Sequence, residues 1–157
     1  MLEVGKKRAK ERNFEGPCTK LLDIEWIEGN AESLQIEDSS QDIYTISFGM
    51  RNIANRLNAI KECYRVLKPG GRFFCLEMSK VQNPLFRSFY NFYTFNISPL
   101  MTKIIAKEND IYNYLAESIC MFDDQETLKE KYESVGFRNV QYINLSNGIV
   151  AIHKGIK

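Results

Sequence analysis

Two short runs of β-branched and aromatic residues, with an amphipathic segment between them, limit what this chain can fold into. Asp42–Phe48 and Arg72–Met78 are nearly apolar throughout, which is typical of strands buried in a parallel sheet. The segment between them, Ala54–Leu67, has apolar residues at helical spacing. The residues on that apolar face are Leu57, Ile60, Tyr64 and Leu67. A strand, a helix and a second strand in this order predict a βαβ unit with parallel strands.

A Lys-Pro-Gly-Gly sequence, Lys68–Gly71, separates the predicted helix from the second strand. Proline cannot continue a helix, and glycine accepts the left-handed conformation that ends one. We therefore expect the helix to end here and the strand to begin at Arg72.

The residues before this unit predict a helix, a short strand and a loop. Met1 to about Asn13 has a weak apolar stripe at helical spacing. Ile24–Ile27 is a short run that ends near a glycine, so we expect a strand there. Asn30–Ser40 is polar and predicts a loop between that strand and the βαβ unit.

The residues after the unit begin with an aromatic segment. Six aromatic residues lie within Phe86–Phe95, and the segment extends from Pro84 to Ala106. Its aromatic residues recur on all sides of the predicted helix, which one core-facing stripe does not explain. Tyr112–Met121 continues in a helical pattern.

The last residues predict a helix and a hairpin. Asp124–Val135 has helical spacing and is followed by glycine. Arg138–Leu145 and Gly148–His153 are two strand-like runs divided by a Ser-Asn-Gly turn sequence, which indicates a hairpin. The chain is thus of the α/β class, with a parallel pair of strands followed by an antiparallel hairpin.

Charge and composition exclude several classes of function. The 157 residues have a formal net charge of +1, which gives no basic footprint for nucleic acid. The four cysteines form no Cys-x-x-Cys pair and no carboxylate cluster is apparent, so we expect no metal site. No run of eighteen apolar residues occurs, so we expect no membrane-spanning helix.

Several local sequences are similar to those of one enzyme family. Tyr-Arg-Val-Leu-Lys-Pro-Gly-Gly at residues 64–71 follows a helix in many class I methyltransferases and indicates only that superfamily. Thr-Ile-Ser-Phe-Gly-Met-Arg-Asn-Ile at residues 45–53 is more specific. Further matching blocks are residues 75–79, 114–119 and 146–153. On these motifs, the chain resembles the UbiE family, the ubiquinone/menaquinone biosynthesis C-methyltransferases, over its whole length.

The resemblance implies a class I methyltransferase fold, a Rossmann-like sheet that ends in an antiparallel hairpin and has the strand order 3-2-1-4-5-7-6. It also implies S-adenosylmethionine (SAM) as the cofactor. Family members begin with a strand, a glycine-rich loop and a second strand, and no such loop occurs among these residues. We therefore expect residues 1–157 to form a single partial domain that lacks the first two strands.

The same resemblance indicates which residues contact SAM. Asn30 and Ala31 follow the first predicted strand, at the edge where open α/β sheets bind ligands, and in the family this pair holds the adenine. Ser47 lies near the end of the next strand, and the family uses it for SAM. The structural alternatives are an ordinary turn at Asn30 and a small polar strand residue at Ser47.

Arg51 and Asn52 follow the same strand and are the predicted catalytic residues. By resemblance, they orient or deprotonate the quinol, through a water molecule. A guanidinium keeps its proton near neutral pH, so we expect Arg51 to stabilise a phenolate and position the water rather than act as the base. The structural alternative is a helix-capping pair at the surface.

Two further ionisable residues lie in predicted strands. Glu77 ends its strand at the same edge of the sheet, where it either contacts substrate or hydrogen-bonds neighbouring backbone. His153, in the last strand, lies away from that edge, and we expect it to have a structural role.

Residues 84–121 are expected to form a helical, aromatic lid over the substrate. Phe89, Phe92 and Tyr93 are the lid residues that we expect to contact a polyprenyl tail. Contact with a bilayer surface is a further expectation for this segment. The alternatives are packing between helices and a homodimer interface.

Three functional hypotheses remain open. The favoured one is SAM-dependent C-methylation of a 2-methoxy-6-polyprenyl-1,4-benzoquinol in ubiquinone biosynthesis; demethylmenaquinol is the acceptor in menaquinone synthesis. By this hypothesis, the enzyme is complete only with a preceding segment, and this chain is inactive by itself. The second is an inactive fragment or isoform that acts through protein contacts, for example in a quinone-biosynthesis complex. The third is methylation of another small molecule.

The amino-acid sequences of two predicted strands bear on the location of the protein in the cell. Residues 42–45 and 149–153 resemble the mitochondrial branch of the family, in which the enzyme lies on the matrix face of the inner membrane. A bacterial cytoplasmic location is the alternative.

Overall fold

The computed structural model describes residues 2–11, 25–97 and 110–157. The chain divides into two compact units, Met1–Asn30 and Ala31–Lys157. In the first unit, helix α1 spans Leu2–Glu11, which confirms the predicted N-terminal helix within the described residues. Gly5 of α1 packs closely on the indole of Trp26, since a Cβ at Gly5 would lie 2.9 Å from Trp26 Cζ3.

The predicted strand at Ile24–Ile27 is wrong over residues 25–27, which have no regular secondary structure. Ile24 itself lies outside the described residues. A strand needs backbone partners, and the four-stranded sheet of this structure includes no pairing with these residues. Ile27 is accordingly exposed.

The second unit contains a mixed four-stranded sheet. Its strands are β1 (Gln41–Ser47), β2 (Leu67–Met78), β3 (Arg138–Leu145) and β4 (Val150–Ile156). Their order is β1-β2-β4-β3, with β1 parallel to β2 and the other two pairs antiparallel. The βαβ unit and the C-terminal hairpin are therefore confirmed. In the strand numbering of a class I methyltransferase, this is the 4-5-7-6 part of the sheet.

Four helices accompany the sheet in the described part of this unit. They are α2 (Arg56–Val66), α3 (Pro84–Phe92), α4 (Asp110–Cys120) and α5 (Gln125–Val135). One π-helical turn, Tyr93–Ile97, continues α3. Residues 98–109, which belong to the predicted lid, lie outside the described residues. None of the helices that the structure describes has the length and apolar character to cross a bilayer.

The core lies between one face of the sheet and the helices α2 and α5. Phe73 of β2 stacks on Tyr132 of α5, with 3.9 Å between ring centroids, and Phe137 packs edge-on against both rings. Helix α2 buries Ile60 as predicted, but the predicted core residue Leu57 is exposed. The buried stripe of α2 is instead completed by Ala59, Cys63 and Val66.

Strand β1 is less buried than its composition predicts. It lies at an edge of the sheet and has β2 as its strand neighbour. Tyr44 and Ile46 pack on the core, whereas Ile43, on the opposite face, is 59% exposed. Apolar composition therefore predicted the strand and its parallel pairing correctly, and its burial wrongly.

Strand β2 begins five residues before the predicted Arg72. Leu67 already pairs with Gln41 of β1, and the register then shifts before Ile43 pairs with Arg72. The Lys-Pro-Gly-Gly sequence is thus an irregular part of the strand, and it ends the helix as predicted. Gly71 fits the close approach of β1, because a Cβ there would lie 3.1 Å from the Asp42 carbonyl oxygen.

Candidate functional site

The carboxyl ends of β1 and β2 bring Arg51 and Glu77 into an ion pair. A 3₁₀ turn, Met50–Asn52, follows β1 closely, and Glu77 is the penultimate residue of β2. Arg51 Nη1 donates to Glu77 Oε1 at 2.7 Å, and the Arg51 backbone N–H donates to Oε2 at 3.2 Å. The two side chains are 13% and 2% exposed. This buried pair fixes the guanidinium at the edge of the sheet.

Phe48 shapes the turn that carries Arg51. Its φ angle is +53°, in the left-handed region that non-glycine residues rarely adopt. The Phe48 N–H donates to the Leu76 carbonyl at 2.9 Å, and the Phe48 carbonyl accepts from Arg51 Nη1 at 2.9 Å. Such backbone strain is concentrated at functional sites, where surrounding contacts maintain it. Here it places a carbonyl against the guanidinium.

The carboxylate of Glu77 is fully engaged within the chain. Besides its two bonds with Arg51, Oε1 accepts from the Met78 backbone N–H at 2.9 Å. The residue is only 1% exposed. The backbone hydrogen bonding expected as one alternative is present. Substrate contact by Glu77 stays a prediction that this burial does not support.

Asn52 connects the turn to helix α4. The Tyr114 hydroxyl donates to Asn52 Oδ1 at 3.2 Å. No signal in the sequence pairs these two residues, because 62 positions separate them. The amide oxygen of Asn52 is therefore engaged by α4, and its catalytic role stays a prediction beside the capping alternative.

Of the predicted SAM-contacting residues, Ser47 and Ala31 lie in the second unit and Asn30 ends the first. Ser47 is exposed at the carboxyl end of β1, and no described residue hydrogen-bonds to its hydroxyl. That exposed donor, at the edge of a parallel strand pair, suits the polar groups of a nucleoside-containing cofactor.

The loop that follows Ala31 is fastened to helix α2 by Arg65. The guanidinium donates to the carbonyls of Leu34 and Ile36, each at 2.8 Å, and forms ion pairs with Glu62 and Asp38. The hydrogen bond from Arg65 is the main reason that the pKa of Glu62 is lowered. The loop therefore has a fixed path beside the sheet edge.

The aromatic residues predicted to contact a polyprenyl tail are on the outside of the chain. Phe89, Phe92 and Tyr93 are all exposed. The cavity that α3 borders is lined by other residues of that helix. The three side chains thus form an exposed apolar face, and their contact with a tail stays a prediction.

His153 lies in the core, as a structural residue would. It is buried, and its Nε2 lies 2.9 Å from the Gln125 carbonyl oxygen, to which the ring N–H donates. Burial lowers the pKa of His153, so the folded chain favours the neutral imidazole.

The βαβ unit that continues into a 4-5-7-6 sheet matches part of the class I methyltransferase fold. Solved structures share it. The YcgJ protein of Bacillus subtilis is 18% identical, with a TM-score of 0.63 over 100% of this chain and 78% of that one. A SAM-dependent methyltransferase of Thermotoga maritima is 19% identical, with a TM-score of 0.58 over 83% and 63%. At these identities the likeness shows the fold.

The chain belongs to the ubiE/COQ5 methyltransferase family, whose model matches residues 1–157. This confirms the resemblance found in its motifs. Two relatives named 2-methoxy-6-polyprenyl-1,4-benzoquinol methylase, mitochondrial, from Oryza sativa subsp. japonica and Danio rerio, are each 48% identical over 100% of this chain. A ubiquinone/menaquinone biosynthesis C-methyltransferase UbiE from Shewanella pealeana is 44% identical. The chain covers 52%, 46% and 60% of these relatives, about half their length.

Proposed function

We propose that the chain forms part of a SAM-dependent C-methyltransferase whose acceptor is a 2-methoxy-6-polyprenyl-1,4-benzoquinol, in ubiquinone biosynthesis. The observation that carries the proposal is the Arg51 guanidinium, held at the sheet edge by the buried Glu77. The names of relatives about twice as long support the choice of acceptor.

The chemistry needs a nucleophilic ring carbon and a way to stabilise the charge that makes it nucleophilic. A ring carbon next to a phenolate attacks a methyl group more readily than one next to a phenol. The positive charge of the Arg51 guanidinium favours the phenolate, while the hydroxyl proton passes to water. The NH₂ group of Asn52, to which no described residue is hydrogen-bonded, positions that water or the oxygen itself. After the carbon–carbon bond has formed, the ring proton passes to water, which restores the aromatic ring.

SAM fits the residues at this edge in part. Asn30 and Ala31 would hold its adenine, Ser47 would contact the cofactor at the end of β1, and its sulfonium would supply the methyl group. The exposed Ser47 hydroxyl and the fastened loop after Ala31 support this assignment. These 157 residues contain no Gly-x-Gly loop for the rest of the cofactor.

The test is a chimera in which this chain replaces the matching part of the rice relative. We expect the chimera to methylate the quinol with SAM. Arg51→Ala should lower kcat by about 100-fold or more, the usual cost of removing a donor that stabilises an oxyanion. Arg72→Ala, an exposed arginine on β2, is the matched control and should keep full activity. A SAM-binding chimera without activity on the quinol, or an active Arg51→Ala variant, would contradict the proposal.

The isolated chain is proposed to be inactive, because the three residues proposed to contact SAM supply only part of a cofactor site. Isothermal titration of the 157-residue chain should show no binding at millimolar SAM. Micromolar affinity would contradict this, and would make the chain a cofactor-binding protein by itself.

We propose peripheral attachment to the matrix face of the mitochondrial inner membrane. The relatives' mitochondrial names and the exposed residues Leu85, Phe89 and Phe92 on α3 support this. Phe89→Asp with Phe92→Asp should abolish co-sedimentation with vesicles that contain anionic lipid, and unchanged co-sedimentation would exclude α3 as the contact. A homodimer and a quinone-biosynthesis complex stay predictions.

A further inference from the structure

An open cavity of about 440 Å³ lies between the end of β2, helix α3 and the end of α4. Its volume is within the range of small-molecule sites. No residue assigned so far to SAM, to catalysis or to the tail lines it. Its polar lining residues include Ser79 and Lys80 after β2, and Arg87, Tyr90 and Asn91 of α3.

Helix α3 turns a polar side to this cavity. Arg87, Tyr90 and Asn91 follow at helical spacing and line it, whereas Leu85 and Phe89 are exposed and do not. A surface helix usually has the reverse arrangement, with its apolar stripe inward. A ligand with polar groups accounts for this wall better than packing does.

Arg87 lines this wall with hydrogen-bond donors that no described residue accepts from. Its Nε donates to the Val81 carbonyl at 2.8 Å, which anchors the guanidinium. Within the described chain, its two terminal nitrogens have no hydrogen-bond partner. Their N–H groups form a planar fork that matches two neighbouring oxygen acceptors.

The other polar groups of the cavity differ in whether described residues already hydrogen-bond to them. Lys80 Nζ donates to the carbonyls of Cys120 at 2.5 Å and Ile119 at 3.4 Å, so its charge stabilises the end of α4. The Ser79 hydroxyl is buried and has no partner among the described residues. A buried hydroxyl without a partner is unfavourable, so this part of the cavity wall carries a stability cost.

We propose that this cavity holds the oxygenated ring of the methyl acceptor, with the Arg87 fork on the hydroxyl and methoxy oxygens of adjacent ring carbons. This rests on the proposed function, whose acceptor carries those two oxygens at one end of the ring and a hydroxyl at the other. Helix α4 passes from the Arg51 turn to the cavity: Tyr114 contacts Asn52, next to Arg51, and Cys120 borders the cavity about 9 Å further along the helix axis. Arg87 is then a specificity residue for the methoxy group, and it acts at the end of the ring that faces away from Arg51.

The direct test is anaerobic binding of two diols to the 157-residue chain, without SAM. The probes are 2-methoxybenzene-1,4-diol and 2-methylbenzene-1,4-diol, which differ in the oxygen that the fork would contact. We expect about tenfold tighter binding of the methoxy diol, the effect of one added hydrogen bond to a charged donor. Arg87→Lys keeps the charge but removes the fork, and should abolish the preference. Arg72→Lys, outside the cavity, should retain it, and circular dichroism verifies that both variants are folded.

Three results overturn the inference: equal affinity of the unmodified chain for both diols, no binding of either, or a methoxy preference retained in Arg87→Lys. The rice chimera separates this inference from the proposed function. If the chimera methylates the quinol in an Arg51-dependent way and Arg87→Lys leaves KM for the quinol unchanged, the subsite is wrong and the function stands. If the diol preference holds but the chimera with bound SAM methylates no quinol, the proposed function is wrong. The assignment of the cavity to the methyl acceptor is then wrong as well.

Discussion

At the scale of single residues, the Arg51–Glu77 pair combines a stability cost with a positioning role. Transferring two charges from water to a site where both are nearly buried costs several kcal/mol per ion, which only good geometry compensates. The geometry here is good, since both Glu77 oxygens accept hydrogen bonds from the Arg51 segment. A pair of apolar residues could fill the same space. What the ion pair adds is a fixed orientation of the Arg51 guanidinium.

Glu77→Gln should therefore impair catalysis more than folding. Glutamine keeps the shape and one acceptor, but the neutral side chain holds Arg51 less firmly. In the chimera, we expect kcat to fall about tenfold with little change in KM for SAM, because the guanidinium is less well oriented, and the pH–rate profile to move to lower pH, because the uncompensated Arg51 charge favours the phenolate. Glu126→Gln, an exposed partner of Lys129, is the control. An unchanged pH–rate profile would leave Glu77 with a structural role.

Acid should destabilise the chain through His153. Burial holds the pKa of its ring below the ordinary value of 6.5. As the pH falls below about 6.5, the unfolded chain therefore takes up a proton that the folded chain does not, and the free energy of unfolding decreases. His153 is the single histidine of the chain, so His153→Gln should flatten this dependence. Urea titrations of both proteins between about pH 7.5 and 5.5 measure it; parallel pH profiles would contradict the assignment.

At the scale of elements, Gly136 ends helix α5 in a conformation that needs glycine. Its φ angle is +116°, and a Cβ would lie 3.3 Å from the Tyr64 ring. Gly136→Ala should lower the free energy of unfolding by about 1–3 kcal/mol, because both backbone strain and contact with the ring oppose it. Gly29→Ala is the matched control, since no atom lies within 4 Å of a Cβ there. Equal stability of the two variants in urea would contradict the prediction.

The elements also show how far the sequence alone predicts the molecule. The end of α5 at Gly136 and the strands of the hairpin are local signals, and the structure confirms them. The burial of β1 was predicted wrongly, because burial depends on the neighbours that a strand finds and composition does not reveal them. The same limit applies to the site. Arg51 was predictable from its position after a strand, whereas its bond to Glu77 and the reach of Tyr114 to Asn52 depend on tertiary packing.

At the scale of the whole molecule, the sheet of the second unit has an edge strand with one exposed apolar residue. Strand β1 is its parallel edge strand, and Ile43 is 59% exposed. Exposed apolar edge strands favour pairing between copies of a chain, which leads to aggregation. The 157-residue chain should therefore aggregate more readily as its concentration rises.

Ile43→Lys should reduce that aggregation with little effect on folding. A lysine on the exposed face of an edge strand repels a second copy of the chain. The substitution should change the free energy of unfolding by no more than about 0.5 kcal/mol. Ile46→Lys is the matched control, because Ile46 packs on the core from the opposite face of the same strand. A buried, unpaired ammonium there should cost several kcal/mol. Light scattering measures the first effect and urea unfolding the second. If Ile43→Lys aggregates like the unmodified chain while remaining folded, the edge of β1 is not the surface through which copies associate.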